Sequence, residues 1–439
     1  MLWRGTAAVL GLVVFGVGAT PAHAATVRSK QWHLTSMHAE EIWQRSTGKG
    51  VTIALIDTGV KAVPELSGRL VGGSDFPGAG TAGNKNGGTT TAAVIAGTGK
   101  GPGGQESAYG LAPGAKIMPL NISDGYTGKG SLADQEKAVN AGLAPALRHA
   151  ADSDAKIISV SVSLPVLAFD TSPEVRDAVA YAMAKGKLVF AGVGYASYLD
   201  DQVVNSPASL PGVVGVTAID SKLTRIKGTG VGQNVDIAAP GTEIVSACAG
   251  STGLCRTKST EVAAALAAAS AALVWSEHPD WTRNQVLRVL LNTIAGPSDG
   301  AVRNDFIGYG AVRPLRALKT PGDPGPRDEY PLDDYTSPTP TPTPTPSAAT
   351  PAPAPSASAG TPDLASGAGT DGHSTGFRIA LGVCAAGLLC LAVGTPLLVA
   401  DHRRRRSADR RTAWPTGPGG TGGPPASTVP MPAGRHQQR

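Results

Sequence analysis

Apolar residues in this chain gather into short runs, and longer stretches with helical periodicity separate these runs. Five of the runs suit strands that are buried on both faces of a parallel sheet; they are residues 51–56, 116–120, 157–162, 188–191 and 213–218. Helical patterns lie between them at residues 132–150 and 173–185, and Gly186 follows the second. The alternation over residues 25–320 predicts an α/β fold with a mostly parallel sheet that helices cover on both faces.

The first apolar run of the chain, residues 7–19, follows Arg4 and precedes the small-residue motif Ala22-His23-Ala24. This order is typical of a secretory signal peptide, so we expect residues 1–24 to be removed. An uncleaved membrane anchor is the alternative, although the run is short for a transmembrane helix.

A second long apolar run, residues 379–400, carries no charge and is long enough to cross a bilayer as a helix. Four arginines, residues 403–406, follow it directly. The positive-inside rule therefore predicts a single-pass membrane helix at 377–401, a basic, disordered cytoplasmic tail at 402–439 and an extracellular domain before them. A buried helix of a soluble domain is the alternative.

Between the domain and this helix, residues 321–376 are rich in Pro, Ser, Thr and Ala, and such a segment predicts an extended linker. Acidic residues and tyrosines precede its repetitive part: Asp328, Glu329, Tyr330, Asp333, Asp334 and Tyr335. This acidic stretch is either the solvated start of the linker or a docking peptide.

Charge and cysteine content exclude some classes of function. The net charge of +5 comes largely from the arginine-rich C-terminus, and without a dense basic face we expect no nucleic-acid partner. Cys248 and Cys255 lie seven residues apart in a glycine-rich loop, and in an exported domain they predict a disulfide. Two cysteines without a nearby histidine do not form a zinc site, so we expect no metal and no cofactor.

Several motifs occur in an order that carries more information than any one of them. They are Asp57-Thr58-Gly59, GGTTTAAVIAG at 87–97, GLAPGAKI at 110–117, STEVAAA at 259–265 and YGAV at 309–312. Over residues 30–320 the chain resembles the subtilisin-like serine proteases, or subtilases. The N-terminal residues 31–43, the cysteine pair, the Pro-rich spacer and the membrane helix make it most similar to the mycosins, the membrane-anchored subtilases of actinobacterial type VII secretion systems. This resemblance implies a subtilisin-like three-layer fold and serine endopeptidase ancestry.

The resemblance also locates the catalytic positions, and most of them carry the wrong chemistry. Asp57 matches the catalytic aspartate, but Gly87 stands at the histidine position, Glu261 at the nucleophile and Tyr195 at the oxyanion asparagine. A serine protease needs a hydroxyl nucleophile, an imidazole base and a carboxylate that orients the base. We therefore interpret Asp57 as a relic of the triad; a simple turn cap is the alternative.

We do not expect neighbouring residues to replace the missing catalytic groups. Ser259 and Thr260 lie beside the nucleophile position, but along a helix start we expect their side chains to point elsewhere, without a base. A carboxylate at Glu261 is favourable by about 0.3–1 kcal/mol at a helix N-terminus, so an ordinary first-turn acid is the simplest interpretation. Contact with a ligand and acid–base hydrolysis by Asp57 with Glu261 are the alternatives.

The resemblance places the substrate-binding strand at residues 158–163, with Ser161, Val162 and Ser163 lining the cleft. Ser163 stands where the family has glycine. Backbone hydrogen bonds could still hold an extended peptide there, while the side chain of Ser163 narrows the cleft.

The sequence therefore predicts a membrane-anchored pseudoprotease with a scaffold or binding role at the cell envelope. Its expected partners are a type VII secretion membrane complex or an extended peptide. An active serine endopeptidase is the alternative and needs a base from elsewhere, with His33 and His38 as candidates. A wall-binding or carbohydrate-binding module is a third possibility, but the chain lacks an aromatic cluster for stacking sugars.

Overall fold

The computed structural model describes residues 26–79, 86–125, 131–163, 172–195, 204–249 and 253–333. The expected signal peptide, most of the linker, the expected membrane helix and the basic tail lie outside the described residues, as do Asp334 and Tyr335. Within these ranges, no helix is both long enough and apolar enough to span a bilayer.

The strands and helices alternate as the hydrophobic pattern predicts. The strands are β1 Thr52–Asp57, β2 Ser74–Asp75, β3 Thr98–Lys100, β4 Glu106–Tyr109, β5 Lys116–Asn121, β6 Ile157–Val160, β7 Leu188–Gly192, β8 Val213–Ile219, β9 Ile237–Pro240, β10 Ile244–Ala247 and β11 Leu254–Thr257. The helices are α1 Trp32–Ser36, α2 Ala39–Trp43, α3 Asn86–Ala96, α4 Leu132–Asp152, α5 Pro173–Ala184, α6 Thr260–Glu277, α7 Arg283–Asn292 and α8 Pro314–Lys319.

In the described part of the chain, seven strands form one parallel sheet in the order β2-β5-β1-β6-β7-β8-β9. Its strands β6 to β9 are buried along their whole length, because helices cover both faces. The predicted α/β fold with a mostly parallel sheet is confirmed. Strand β9, which the pattern did not predict, lies at the edge of the sheet and ends in Pro240, where a missing N–H is tolerated.

Helix α6 passes through the core and sets the position of the candidate site. Its residues from Thr260 to Trp275 are all buried except Glu261, as expected for a helix that is apolar all round. A Cβ built on Gly192, the last residue of β7, would lie 2.7 Å from the carbonyl carbon of Thr260. The missing side chain at Gly192 therefore lets the N-terminus of α6 approach the carboxyl end of the sheet.

Residues 325–333, here called the C-terminal strap, pack along α7. The carbonyl of Arg327 accepts hydrogen bonds from Thr282 Oγ1 and Asn284 Nδ2, both at 2.9 Å. The hydroxyl of Tyr330 donates to the carbonyl of Gly212, just before β8, at 2.9 Å. Tyr330 and Leu332 are buried, so the expectation of a solvated stretch is wrong for these residues, and packing extends beyond residue 320.

Strands β10 and β11 form an antiparallel hairpin beside the sheet. Cys248 and Cys255 form a disulfide across it, with their Cα atoms 5.8 Å apart. The hairpin is thereby closed at its loop, and its second strand supplies Cys255, Arg256 and Thr257 to the cavity described next.

Candidate functional site

A cleft opens where the carboxyl end of β1, the segment after β6 and the N-termini of α3 and α6 meet. It encloses a cavity of about 380 Å³. The cavity is lined by Asp57, Thr58, Gly87, Thr90, Thr91, Asp124, Ser161, Cys255, Arg256, Thr257, Ser259, Glu261 and Val262. The structure thus brings Asp57, Gly87 and Glu261, which are far apart in sequence, to one site.

Asp57 ends β1 and is almost fully buried, with 3% of its surface exposed. Burial raises the pKa of its carboxyl group to about 7, and the negative charge of Glu261 adds to this effect. Hydrogen bonds from Thr58 and Thr91 act in the opposite direction; the Thr58 N–H donates to Oδ1 at 2.6 Å. Near neutral pH the carboxyl group is therefore poised between its two protonation states.

Gly87 lies in the first turn of α3, beside Asp57. A Cβ at position 87 would lie 3.5 Å from Asp57 Oδ1, an ordinary van der Waals distance. The next residue differs sharply, because a Cβ on Gly88 would lie 2.4 Å from the carbonyl oxygen of Gly59. The fold therefore requires glycine at position 88, while position 87 has room for a side chain that faces the aspartate.

Glu261 is the second residue of α6, and three hydroxyl groups donate to its carboxylate. Ser163 Oγ reaches Oε1 at 2.6 Å, Thr260 Oγ1 reaches Oε2 at 3.2 Å, and Ser259 Oγ also donates to Oε2. The carboxylate thus lies between the segment after β6 and the start of α6. Favourable placement of a negative charge at a helix N-terminus adds to these hydrogen bonds.

Ser259 is the N-cap of α6, and its role differs from the expectation. Its Oγ accepts hydrogen bonds from the backbone N–H groups of Glu261, at 3.0 Å, and Val262, at 3.3 Å. The expectation that the side chains of Ser259 and Thr260 point away from position 261 is wrong, since both hydroxyls contact the Glu261 carboxylate. The two N–H donors nevertheless occupy the lone pairs that a nucleophilic Ser259 would need for attack.

Tyr195, which was predicted at the oxyanion position, is not among the residues that line the cavity. Its hydroxyl oxygen is buried and has no hydrogen-bond partner among the described residues. Burial and, to a smaller extent, the charge of Glu261 raise the pKa of Tyr195 to about 12. Lys258 Nζ lies 6.0 Å from the centre of the ring, at the outer limit of a cation–π contact.

The two histidines considered as replacement bases lie elsewhere. His33, in α1, is fully buried, and burial, helped by the charge of Arg28, lowers its pKa to about 3. His38 is exposed and lies 3.5 Å from the carboxylate of Glu41. Neither lines the cavity, and among its lining residues in the described chain there is no imidazole.

The described ranges also contain no group of three or more His, Cys, Asp or Glu side chains that could hold a metal ion. Sequence reasoning missed Asp124, Thr91 and Arg256 as lining residues. Thr91 belongs to the motif at 87–97 and Arg256 follows Cys255, so proximity to known motifs was the available signal. Nothing in the sequence around Asp124 marks it.

Comparison with known proteins now adds the family. The family model of the subtilases (peptidase S8) matches residues 48–310. Thermitase of Thermoactinomyces vulgaris is 32% identical over 221 residues, which cover 50% of this chain and 72% of thermitase. Subtilisin Savinase of Lederbergia lenta is 30% identical over 274 residues, covering 61% of this chain and 91% of that protein.

Solved structures of mycosins are similar over a larger part of the chain. MycP1 from Mycobacterium smegmatis matches with a TM-score of 0.60 and 25% identity, covering 70% of this chain and 89% of MycP1. The MycP3 protease of the type VII (ESX-3) secretion system matches with a TM-score of 0.58 and 29% identity, covering 68% and 90%. A chain of an intact ESX-5 inner membrane complex matches with a TM-score of 0.58 and 25% identity, covering 87% and 92%. Since the family model spans more than half of the chain, the protein belongs to the subtilase family.

Proposed function

We propose that this chain is a mycosin-like subtilase without peptidase activity, anchored in the cell membrane, that serves as a scaffold or binding partner of a type VII secretion complex. The observation that carries the proposal is the state of Glu261. Three hydroxyl groups hold its carboxylate at the nucleophile position, in a cleft whose described lining has no imidazole.

The groups that this site lacks contribute large factors to kcat in active subtilases. In subtilisin, removal of the nucleophile or of the histidine lowers kcat by about 10⁶. Removal of the oxyanion asparagine alone lowers kcat by about 10²–10³ in the same enzyme. These losses do not add, but the loss of the nucleophile or of the histidine would by itself leave little useful turnover of peptide bonds.

The proposed partner follows from the neighbours in structure. Chains of the periplasmic assembly and of the intact inner membrane complex of ESX-5 match this chain over 74% and 87% of its length. The resemblance to mycosins and the expected membrane helix at 377–401 support a place at the same kind of complex. A subtilase fold without its reactive groups is consistent with a protein that functions by binding partners at its surface.

One observation favours the alternative of an active serine endopeptidase. Ser259 Oγ donates to the Glu261 carboxylate, which could act as a base. Against this, the backbone N–H groups of Glu261 and Val262 already bind the Ser259 oxygen. A hydroxyl that caps a helix in this way is a poor nucleophile.

Fluorophosphonate labelling and casein cleavage by the detergent-solubilised full chain separate the two functions. We expect neither labelling nor cleavage, in the wild type or in Ser259→Ala. Labelling that Ser259→Ala abolishes, or casein cleavage that Asp57→Ala abolishes, would overturn the proposal. Affinity purification after cross-linking in envelope membranes tests the partner, and we expect it to recover subunits of a type VII secretion complex.

A further inference from the structure

At the cleft, one hydrogen bond joins residues that lie 98 positions apart in the chain. Ser163 Oγ, on the segment that continues β6, donates to Glu261 Oε1 at 2.6 Å. Ser161, in the same segment, lines the cavity together with Glu261. The bond therefore joins the two walls between which an extended ligand would lie.

Both ends of this bond are held in place. The other carboxylate oxygen of Glu261 accepts from Ser259 and Thr260. Upstream, the N–H of Ser161 donates to the carbonyl of Ile56 at 2.9 Å, which keeps the segment aligned with β1. Hydroxyl-to-carboxylate bonds are stronger than neutral ones, so the glutamate side chain stays across the cleft.

Strand β6 is flanked by β1 and β7, so an extended ligand could pair only with residues 161–163, which continue beyond the end of β6. A ligand that adds a strand there needs this segment to be open. Such a strand lies about 4.8 Å from its neighbour, at a spacing fixed by backbone hydrogen bonds. The Glu261 carboxylate contacts the side chain of Ser163 within that distance. An extended peptide can pass this point only after the Ser163–Glu261 bond has opened.

The charge of the cavity decides which peptide opens the bond most easily. Asp57, Asp124 and Glu261 line it, and among its described lining residues the basic one is Arg256. Arg256 is directed elsewhere: its side chain is 62% exposed and pairs with Glu243 at 2.9 Å. When the Ser163 hydroxyl leaves, a cationic ligand group can replace it as a donor to Glu261, whereas an acidic group would be repelled. Ser161 Oγ is buried and has no hydrogen-bond partner among the described residues, so it offers a further acceptor once the cleft has opened.

We propose that the Ser163–Glu261 hydrogen bond is a latch on the peptide groove, and that an extended peptide with a lysine or arginine side chain at this point releases it. The proposal rests on the binding role proposed above and adds the class of ligand. Glu261 thereby acts as a specificity-determining residue at the position where its relatives have the nucleophile.

Fluorescence anisotropy on the detergent-solubilised full chain tests the latch. The probes are three fluorescein-labelled alanine-based decapeptides that carry lysine, norleucine or glutamate at the central position. Ser163→Ala removes the donor without loosening the backbone, and Ser163→Gly restores the residue of the family. We expect both variants to bind the lysine peptide about tenfold more tightly than the wild type does, because a hydrogen bond to a charged group no longer has to be broken.

Glu261→Gln tests the charge. We expect this variant to lose the preference for lysine over norleucine, while the exposed-site control Ser29→Gly binds all three peptides as the wild type does. Equal affinity of wild type, Ser163→Ala and Ser163→Gly for the lysine peptide would overturn the latch, as would the absence of binding by every variant. Equal binding of the three peptides by Ser163→Ala would overturn the basic specificity. None of these results bears on the lack of peptidase activity, which the labelling and casein assays test separately.

Discussion

The two walls of the cleft differ in what occupies the proposed catalytic positions. On the wall formed by β1 and α3, Asp57 keeps its buried place, and Gly87 leaves space beside it. On the wall formed by the start of α6, Glu261 stands at the proposed nucleophile position and accepts hydrogen bonds from three neighbouring hydroxyl groups. One wall has open space beside a carboxyl group, and the other holds a hydrogen-bonded carboxylate.

Gly87 and Glu261 therefore have separate physical consequences for the cleft. Position 87 leaves open space beside Asp57, since a Cβ there would meet no atom closer than 3.5 Å. The Glu261 carboxylate is instead bound to Ser163, and under our proposal this bond controls what the cleft can bind. Variants that restore one wall at a time can therefore show whether the cleft only lacks catalytic side chains or has also changed in what it binds.

The largest effect is expected when both walls are repaired together. Gly87→His adds an imidazole beside Asp57, and Glu261→Ser restores a hydroxyl and opens the bond to Ser163. Because both groups must act as a unit, we expect fluorophosphonate labelling in the double variant and in neither single variant. Adding Tyr195→Asn should raise the turnover of a chromogenic peptide by about 10²–10³.

Circular dichroism of each variant serves as the control for folding. A double variant that folds but is not labelled would show that the backbone of the cleft, and not only its side chains, has departed from a working protease. Labelling of Gly87→His alone would instead identify Ser259 as a usable nucleophile, in conflict with its role as a helix cap.

The stability of the domain should depend on pH because Asp57 is buried. The folded state raises the pKa of Asp57 from 3.8 to about 7, so it binds the proton more tightly than the unfolded chain does. Stability from this group is then full below about pH 4 and is lost as the pH rises through about 7. Asp57→Asn cannot ionise, and at pH 9 we expect it to be more stable than the wild type by on the order of 4 kcal/mol.

Urea unfolding between pH 4 and pH 9 measures this difference, with the exposed Asp154→Asn as the control. The advantage of Asp57→Asn should shrink towards zero at pH 4. An advantage that is constant over the whole range would show that Asp57 is ionised throughout.

The smallest expected effect is the difference in stability between the alanine variants of two adjacent glycines. Gly88→Ala places a methyl group against the carbonyl of Gly59, and we expect it to lower the free energy of unfolding by about 1–3 kcal/mol. Gly87→Ala meets no neighbour closer than 3.5 Å and should be neutral or stabilising by up to about 1 kcal/mol. Thermal unfolding of the two variants measures both values, and equal destabilisation would contradict the space assigned to position 87.

Much of the fold could be predicted because buried parallel strands leave a local signal. The runs at 116–120 and 213–218 become β5 and β8, each with one further residue. The run at 157–162 was predicted too long, since the ladder ends at Val160 and the chain turns towards the cleft. Local apolar pattern does not indicate where a strand leaves its sheet.

Only those site residues that belong to recognisable sequence motifs could be predicted. Asp57, Gly87 and Glu261 were assigned from their neighbours in sequence, and the structure brings them together. The contact between Ser163 and Glu261 spans 98 residues and depends on the approach of α6 to the sheet, which one sequence does not encode in any local pattern. The buried Tyr330 was missed for the same reason, because its partner Gly212 is 118 residues away.

The C-terminal strap has a mechanical consequence. It joins the domain through α7 and through Gly212, which precedes β8, whereas Asp57 ends β1 of the same parallel sheet. The strap therefore contacts the sheet at the amino end of β8, whereas the cleft lies at the carboxyl end of β1, the opposite end of the strands. Tension applied to the chain beyond Asp333 would enter the domain at the strap and be carried by α7 and the amino ends of the strands, away from the cleft.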